Sequence, residues 1–139
     1  MHIHLSRLRA RFSTAQALKP GEITVTSIDD AFLQKARTAV EKHLADEEFG
    51  VQEFARAMIM SRSQLLRKLS ALTGLTAQGF IRYLRLHRAQ DLLRQNAGTV
   101  SEIGYMVGFG SPAYFTKCYH EQFGIVPSEV QKKMSDPGP

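Results

Sequence analysis

Apolar residues recur along most of this chain at spacings of three and four, the period of helices buried on one side. Ser27 reads as an N-cap with Asp29 and Asp30 in the first turn, opening a helix that buries Phe32, Leu33, Ala36, Val40 and Leu44 and ends near Asp46. Its outer side is acidic, which marks it as a brace. A short helix with Val51, Phe54, Ala55 and Met58 on one face follows. Ser61 then caps another, with Gln64 completing a capping box, Leu65, Leu69 and Leu72 forming its inner stripe and Gly74-Leu75 ending it. A long helix from about Thr76 to Gln95 buries Phe80, Ile81, Leu84, Ala89, Leu92 and Leu93. At about 1.5 Å per residue it is long enough to hold two modules roughly 30 Å apart. Thr99 with Glu102 forms a second capping box, Gly108-Phe109-Gly110 makes a turn, and Ser111-Pro112 starts a helix with the stripe Phe115, Tyr119 and Phe123. Gly124 stops that helix, and Pro127 opens a last one through about Met134 with Val130 inward. Met58, Met60 and Met106 are expected to fill the core. The pattern predicts an all-α fold of about seven helices.

Part of the pattern occurs twice. Val51 to Leu75 is answered by Val100 to Ile125: each copy opens on an apolar residue with Glu two positions on (Glu53, Glu102) and passes a small residue (Ala55, Gly104). Each then meets a Ser that starts a second helix (Ser61, Ser111) and closes on Gly and an aliphatic residue. With one extra residue in the second turn, Arg67 falls opposite Lys117 and Leu65 opposite Phe115. Gly104 marks a close helix crossing where a side chain larger than Ala should clash. Two short helices joined by a tight turn, used twice, suit a reader of two adjacent DNA segments.

Charge supports that reading. The 139 residues carry a net charge of +5, and 43% are apolar, enough for a core. From Val51 to Asn96 the bases Arg56, Arg62, Arg67, Lys68, Arg82, Arg85, Arg88 and Arg94 face only Glu53 and Asp91, whereas Asp29, Asp30, Glu41, Asp46, Glu47 and Glu48 precede them. That asymmetry aims one face at a polyanion.

Residues 1–26 differ from the rest. Leu5, Leu8, Phe12 and Ala15 make a brief helical stripe among Arg7, Arg9 and Arg11, Pro20-Gly21 interrupts it, and the strand-like run Ile23 to Thr26 leads into the folded part. The segment reads as a linker or tail, residues 27–134 as the folded domain, and 135–139 as a frayed end. Within the domain the first helix-turn-helix covers 51–74, the linker helix 76–95 and the second helix-turn-helix 99–124.

SEIGYMVGFGSPAYFTKCYHEQFGIVPSEV, Ser101 to Val130, resembles the second helix-turn-helix of the AraC/XylS family of bacterial transcription regulators, including Gly108-Phe109, Tyr114-Phe115, Phe123-Gly124 and Pro127. MSRSQLLRKL from Met60 and FIRYLRLHRAQDLL from Phe80 are similar to that family's first recognition helix and connecting helix, so the resemblance spans about Ile28 to Met134. RLRARF followed by EITVTSIDDAFLQKA looks like the junction ahead of this domain in response regulators, notably hybrid two-component sensors. The resemblance implies a cytoplasmic transcription regulator that binds double-stranded DNA, engages RNA polymerase and serves as the output of a phosphorelay, with any homodimer formed through upstream domains.

A recognition helix reads the major groove with the side chains opposite its buried stripe. In the first copy Leu65 and Leu69 are inward, leaving Arg62, Ser63, Leu66 and Arg67 outward. Arg67 is the first choice for a base contact, through guanine O6 and N7, with a phosphate contact as the alternative. The resemblance puts Ser63, Leu66 and Arg67 on base-facing positions; Leu66 departs from the polar residue usual there and either touches a thymine methyl or packs. The second helix offers Pro112, Ala113, Thr116 and Lys117 to bases, with Tyr114 toward the backbone, so weaker discrimination and more shape readout are expected from it. Ser61, Thr99 and Ser111 are backbone candidates that also cap helices. Arg82 and Arg85 are backbone candidates whose alternative, shared with Arg88, is a solvated helix face.

No catalytic apparatus is legible. His2, His4, His43, His87 and His120 are scattered, no metal-ligand spacing occurs, and neither a nucleophile elbow nor a phosphate-binding glycine loop is present, so no cofactor or metal is expected. Cys118 stands alone, which rules out an internal disulfide. No apolar run approaches the ~18 residues needed to cross a bilayer, so no membrane contact is expected. A helical protein-interaction module is the rival reading; it needs an exposed apolar groove, whereas this chain assigns its apolar positions to closed helix faces. A single-strand RNA reader would carry its aromatics on strands.

Overall fold

Short local signals start and stop nearly every helix. The computed structural model describes residues 27–135, and within them the elements are α1 (Ser27–Glu41), α2 (Val51–Met58), α3 (Arg62–Thr73), α4 (Ala77–Arg94), α5 (Val100–Met106), α6 (Pro112–Phe123) and α7 (Pro127–Ser135). The stripe at Leu5 to Ala15, the Ile23 to Thr26 run, His2 and His4 lie outside the described residues. The Ser61 hydroxyl accepts from the Gln64 N–H at 3.1 Å while the Gln64 side chain accepts from the Ser61 N–H at 3.0 Å. Thr99 and Glu102 make the same reciprocal pair at 3.1 and 2.9 Å. Ser111 accepts from the Tyr114 N–H at 3.2 Å, with Pro112 at the first helical position. Each arrangement satisfies amide donors that the first helical turn leaves without partners. Ahead of α2 the side chain of Glu53 does the same alone, accepting from the Gly50 N–H at 2.9 Å.

The chain divides into two compact units, one of residues 27–42 and 50–81, the other of residues 43–49 and 82–135. In the first, Phe32, Leu33, Ala36 and Val40 of α1 are buried, as are Phe54, Ala55 and Met58 of α2, Leu65 and Leu69 of α3, and Ala77, Phe80 and Ile81 of α4. The Phe54 and Phe80 rings stack at 5.9 Å, and Lys68 Nζ lies 4.8 Å above the Phe32 ring, covering it with a charged tip that reaches water. Thr73, buried at 0% exposure, is satisfied on both sides: its hydroxyl donates to the Leu69 carbonyl at 2.7 Å and accepts from the Leu75 N–H at 3.1 Å, where the chain leaves α3.

The second unit is built on Leu86, Ala89, Leu92 and Leu93 of α4, Ile103 of α5, Val107 and Phe109 of the turn, and Phe115, Cys118 and Tyr119 of α6, with Val100, Phe123, Ile125 and Val130 packed at its edge. Rings run through it as a chain: Phe109 to Phe115 at 5.2 Å, Phe115 to Tyr119 at 5.9 Å, Tyr119 to Phe123 at 4.6 Å and Phe123 to His87 at 5.4 Å. Gln131 of α7 donates to the Gly98 carbonyl at 2.6 Å and so ties the last helix to the loop before α5.

Several expectations shift. The first helix stops at Glu41 and residues 42–48 are turns, so Leu44 is only half-buried and Ser27 is itself the first helical residue. Tyr83 and Leu86 of α4 are buried in addition to the expected positions. Met58 is core, Met60 is half-buried, and Met106 at the end of α5 is 44% exposed instead of filling the core.

Candidate nucleic-acid interface

Burying Leu65 and Leu69 completely fixes which way the rest of α3 points. Four apart, they lie on one line of the helix and leave Arg62, Ser63, Leu66 and Arg67 exposed in its first half. Arg67 makes no ion pair or hydrogen bond among the described residues, so its guanidinium is available as a flat fork of donors. Arg62 is held differently: its Nη2 donates to the Gln52 side chain at 3.3 Å, which leans it back toward the first turn of α2. Leu66 is 43% exposed beside Arg67, an apolar surface of the size that meets a thymine methyl.

On α6 the buried line is Phe115, Cys118 and Tyr119. Ala113, Tyr114 and Lys117 are exposed, whereas Pro112 and Thr116 are half-buried. The Tyr114 ring leans on Phe109 at 5.9 Å, which supports the side chain from below and leaves it 47% exposed. The outward face of α6 thus carries one flexible cation and one aromatic alcohol, against two arginines and a serine on α3.

The caps need not choose between their two roles. At Ser61, Thr99 and Ser111 the hydroxyl oxygen accepts from a backbone N–H, so its proton remains free to donate, and a phosphate oxygen is a suitable acceptor. The Glu102 pKa is lowered from its ordinary value because the Thr99 backbone N–H, and then the Thr99 side chain, bond to its charged form. Burial pushes the Cys118 thiol up and keeps it neutral, which makes it core filling and not a reactive group.

Arg82 and Arg88 are exposed on α4. Arg85, another of the backbone-contact candidates, is half-buried and already partnered. Its Nη2 donates to the Asp46 carbonyl at 2.7 Å and reaches the Phe49 carbonyl at 3.4 Å, while Nη1 reaches the Gly108 carbonyl at 3.4 Å. Burial lowers its pKa, with Asp46 and Glu47 acting in the opposite direction. This arginine is spent inside the second unit.

Among the described residues there is no group of three or more His, Cys, Asp or Glu that holds a metal ion, and no helix is long and apolar enough to cross a membrane. Comparison with known proteins agrees with the paired-helix geometry. A helix-turn-helix domain family matches residues 54–133, most of the first copy of the repeat and all of the second. A solved transcriptional regulator from Chromobacterium violaceum, with an AraC-type DNA-binding domain, is 30% identical with a TM-score of 0.64, the match covering 78% of this chain and 99% of that one. The chain is an AraC-type helix-turn-helix DNA-binding domain. The DNA-binding domain of the global transcriptional factor AdpA, solved with a target DNA, is 26% identical to this AraC-type domain with a TM-score of 0.67 over 78% of this chain and 97% of that one. Histidine kinase P4 of Formosa agariphila is 43% identical over 130 residues, 94% of this chain. Those residues are 10% of the kinase, so the AraC-type domain corresponds to a small part of that much longer protein. The family is one of DNA-binding, non-catalytic domains of transcription regulators.

Proposed function

We propose that this domain binds double-stranded DNA at a two-part site, with α3 and α6 in successive major grooves and α3 the more discriminating reader. The observation that carries the proposal is the unpartnered Arg67 beside Ser63 and Leu66 on α3, set against the poorer face of α6. Arg67 donates to guanine O6 and N7, Ser63 and Leu66 read the neighbouring bases, and Arg62, already leaning on Gln52, adds a base contact at the edge of that set. On α6, Lys117 and Thr116 contribute base contacts, Pro112 and Ala113 allow close approach, and Tyr114 meets the backbone. The cap hydroxyls of Ser61, Thr99 and Ser111 and the exposed Arg82 anchor phosphates.

The kinase relative supports a second part of the proposal: the domain is the output of a phosphorelay whose sensor and receiver lie elsewhere in the protein, with RNA polymerase as the downstream partner and any dimer made by those other segments.

Selection from a random DNA pool at near-physiological salt tests the reading. A two-part motif with half-sites about one helical turn, roughly 34 Å, apart and sharper in one half is expected. Arg67→Ala should relax one or two positions of the sharper half at a cost of about 1–3 kcal/mol. Equal loss on selected and random DNA would make Arg67 a phosphate contact, and no binding would favour a protein-interaction module.

A further inference from the structure

The turn that launches α6 is enclosed by side chains and backbone that no base-reading role requires. Gly108 has φ of +89°, a conformation open to glycine, and a Cβ there would overlap the Leu44 carbonyl and come within 2.9 Å of Arg85 Cζ and Nε. Two residues on, a Cβ at Gly110 would run into the Glu47 carboxylate. Gly108 is therefore covered by residues 43–49, whose Glu47 carboxylate also reaches Gly110, and that segment is held by Arg85, which bonds the carbonyls of Asp46 and Phe49 with one nitrogen and that of Gly108 with the other. The guanidinium thus clasps the segment on one side and the turn on the other. Phe49 is buried at 5% exposure with its ring stacked on His43 at 4.7 Å, which makes the segment a folded strap and not a loose loop. The Phe109 ring, between the two glycines, packs on both Tyr114 and Phe115, so a displacement of the turn reaches the outward and the inward faces of α6 together.

We propose that Arg85, with the 43–49 segment, is a positioning element for α6: it fixes the turn from Gly108 to Gly110 and thereby the angle at which the second recognition helix enters its groove. The inference rests on the proposed two-part DNA reading. It assigns Arg85 an effect on one half-site only, where a phosphate-binding arginine would act on every sequence alike.

The test uses the full chain and three duplexes taken from the wild-type selection: the complete site, the site with the α6 half randomised, and the site with the α3 half randomised. Arg85→Met should weaken binding to the complete site by about tenfold, the worth of one or two lost base contacts, and leave affinity for the duplex lacking the α6 half unchanged. Arg85→Lys keeps the charge but cannot span three carbonyls, so it should show most of the same loss; it also keeps the test decisive if Arg85→Met does not fold. Amide resonances of residues 108–114 and 43–49 should shift together in both variants while those of α3 stay put. Equal weakening on all three duplexes, or a wild-type response from Arg85→Lys, would return Arg85 to phosphate binding and overturn the proposal. A wild-type selection with no second half-site would overturn the two-part reading itself, a failure visible before any variant is made.

Discussion

Gly104→Ala probes the close crossing of α5 and α6. A Cβ at this position lies 2.9 Å from Phe115 Cδ2, 3.1 Å from Cγ and 3.3 Å from Cβ, so alanine is already too large, one step stricter than the sequence pattern indicated. Carbon atoms in ordinary contact stand about 3.5–4.0 Å apart, which requires the Phe115 ring to withdraw by roughly 0.6 Å or more. Phe115 is wholly buried, with the Phe109 ring at 5.2 Å and the Tyr119 ring at 5.9 Å, so it can withdraw only by displacing these neighbours. Overpacking of this kind costs about 1–3 kcal/mol, and replacing Gly by Ala within a helix returns about 0.5–1 kcal/mol, so a net loss of about 1 kcal/mol is expected. The first copy of the repeat carries the compatible pair: Ala55 stands where Gly104 does, and its counterpart to Phe115 is the smaller Leu65. Moving both residues should therefore reduce the penalty. Leucine keeps the Cβ, Cγ and Cδ atoms but vacates the space of the distal ring, into which they can withdraw, so in a Phe115→Leu background, itself destabilised by the lost ring, Gly104→Ala should cost less than in the wild type and at best stabilise by the helix term of about 0.5–1 kcal/mol. The chain has no Trp, and all of its four tyrosines (Tyr83, Tyr105, Tyr114 and Tyr119) belong to the second unit, so tyrosine fluorescence during urea unfolding follows that unit directly. A penalty of equal size in both backgrounds, or none in the wild type, would refute the steric argument.

Ile59 holds φ at +57° with 87% of its surface exposed, a branched side chain in a left-handed conformation that burial does nothing to offset. Ile59→Gly should raise stability by about 0.5–1 kcal/mol, because the strain of roughly 1–2 kcal/mol exceeds the added chain entropy; a lower urea midpoint by far-UV circular dichroism would count against this. Glu102 has its folded-state pKa lowered by the Thr99 N–H, so its contribution is present above the ordinary glutamate value, about 4.3, and is lost as pH falls through the folded value. Glu102→Gln, the arrangement the first copy already uses at Gln64, should keep the capping box and flatten stability against pH in that acid range relative to wild type; parallel curves would show that the charge has no such role.

Local rules made most of the fold legible. Ser61, Thr99 and Ser111 cap their helices as their neighbours at Gln64, Glu102 and Pro112 require, and Gly74 and Gly124 end them, because each signal is contained within four or five residues. The outward faces of α3 and α6 followed from the spacing of Leu65 to Leu69 and of Phe115 to Tyr119. What escaped depended on partners far along the chain. Arg85 looks like any other arginine on a basic helix until carbonyls 36 and 39 residues before it, and one 23 residues after it, come within reach. Met106 reads as core by composition, yet it sits at the end of a seven-residue helix that turns its last side chain outward.

The proposed inequality between α3 and α6 has a physical basis within the repeat. In the first copy the turn is a left-handed isoleucine followed directly by a half-buried Met60 and the Ser61 cap, and the recognition helix keeps polar, donor-rich residues on its face. In the second, the longer turn with Gly108 and Gly110 admits the 43–49 strap and the Phe109 ring, and α6 begins with Pro112. Proline fixes the backbone of the first helical turn and helps hold the entry angle, but it gives up a donor where the first copy offers Arg62. The second reader therefore gains support for its orientation as it loses hydrogen-bonding capacity. A helix with few base contacts discriminates only if those few are aimed well, which is why disturbing the strap should cost the second half-site more than removing any one of its side chains.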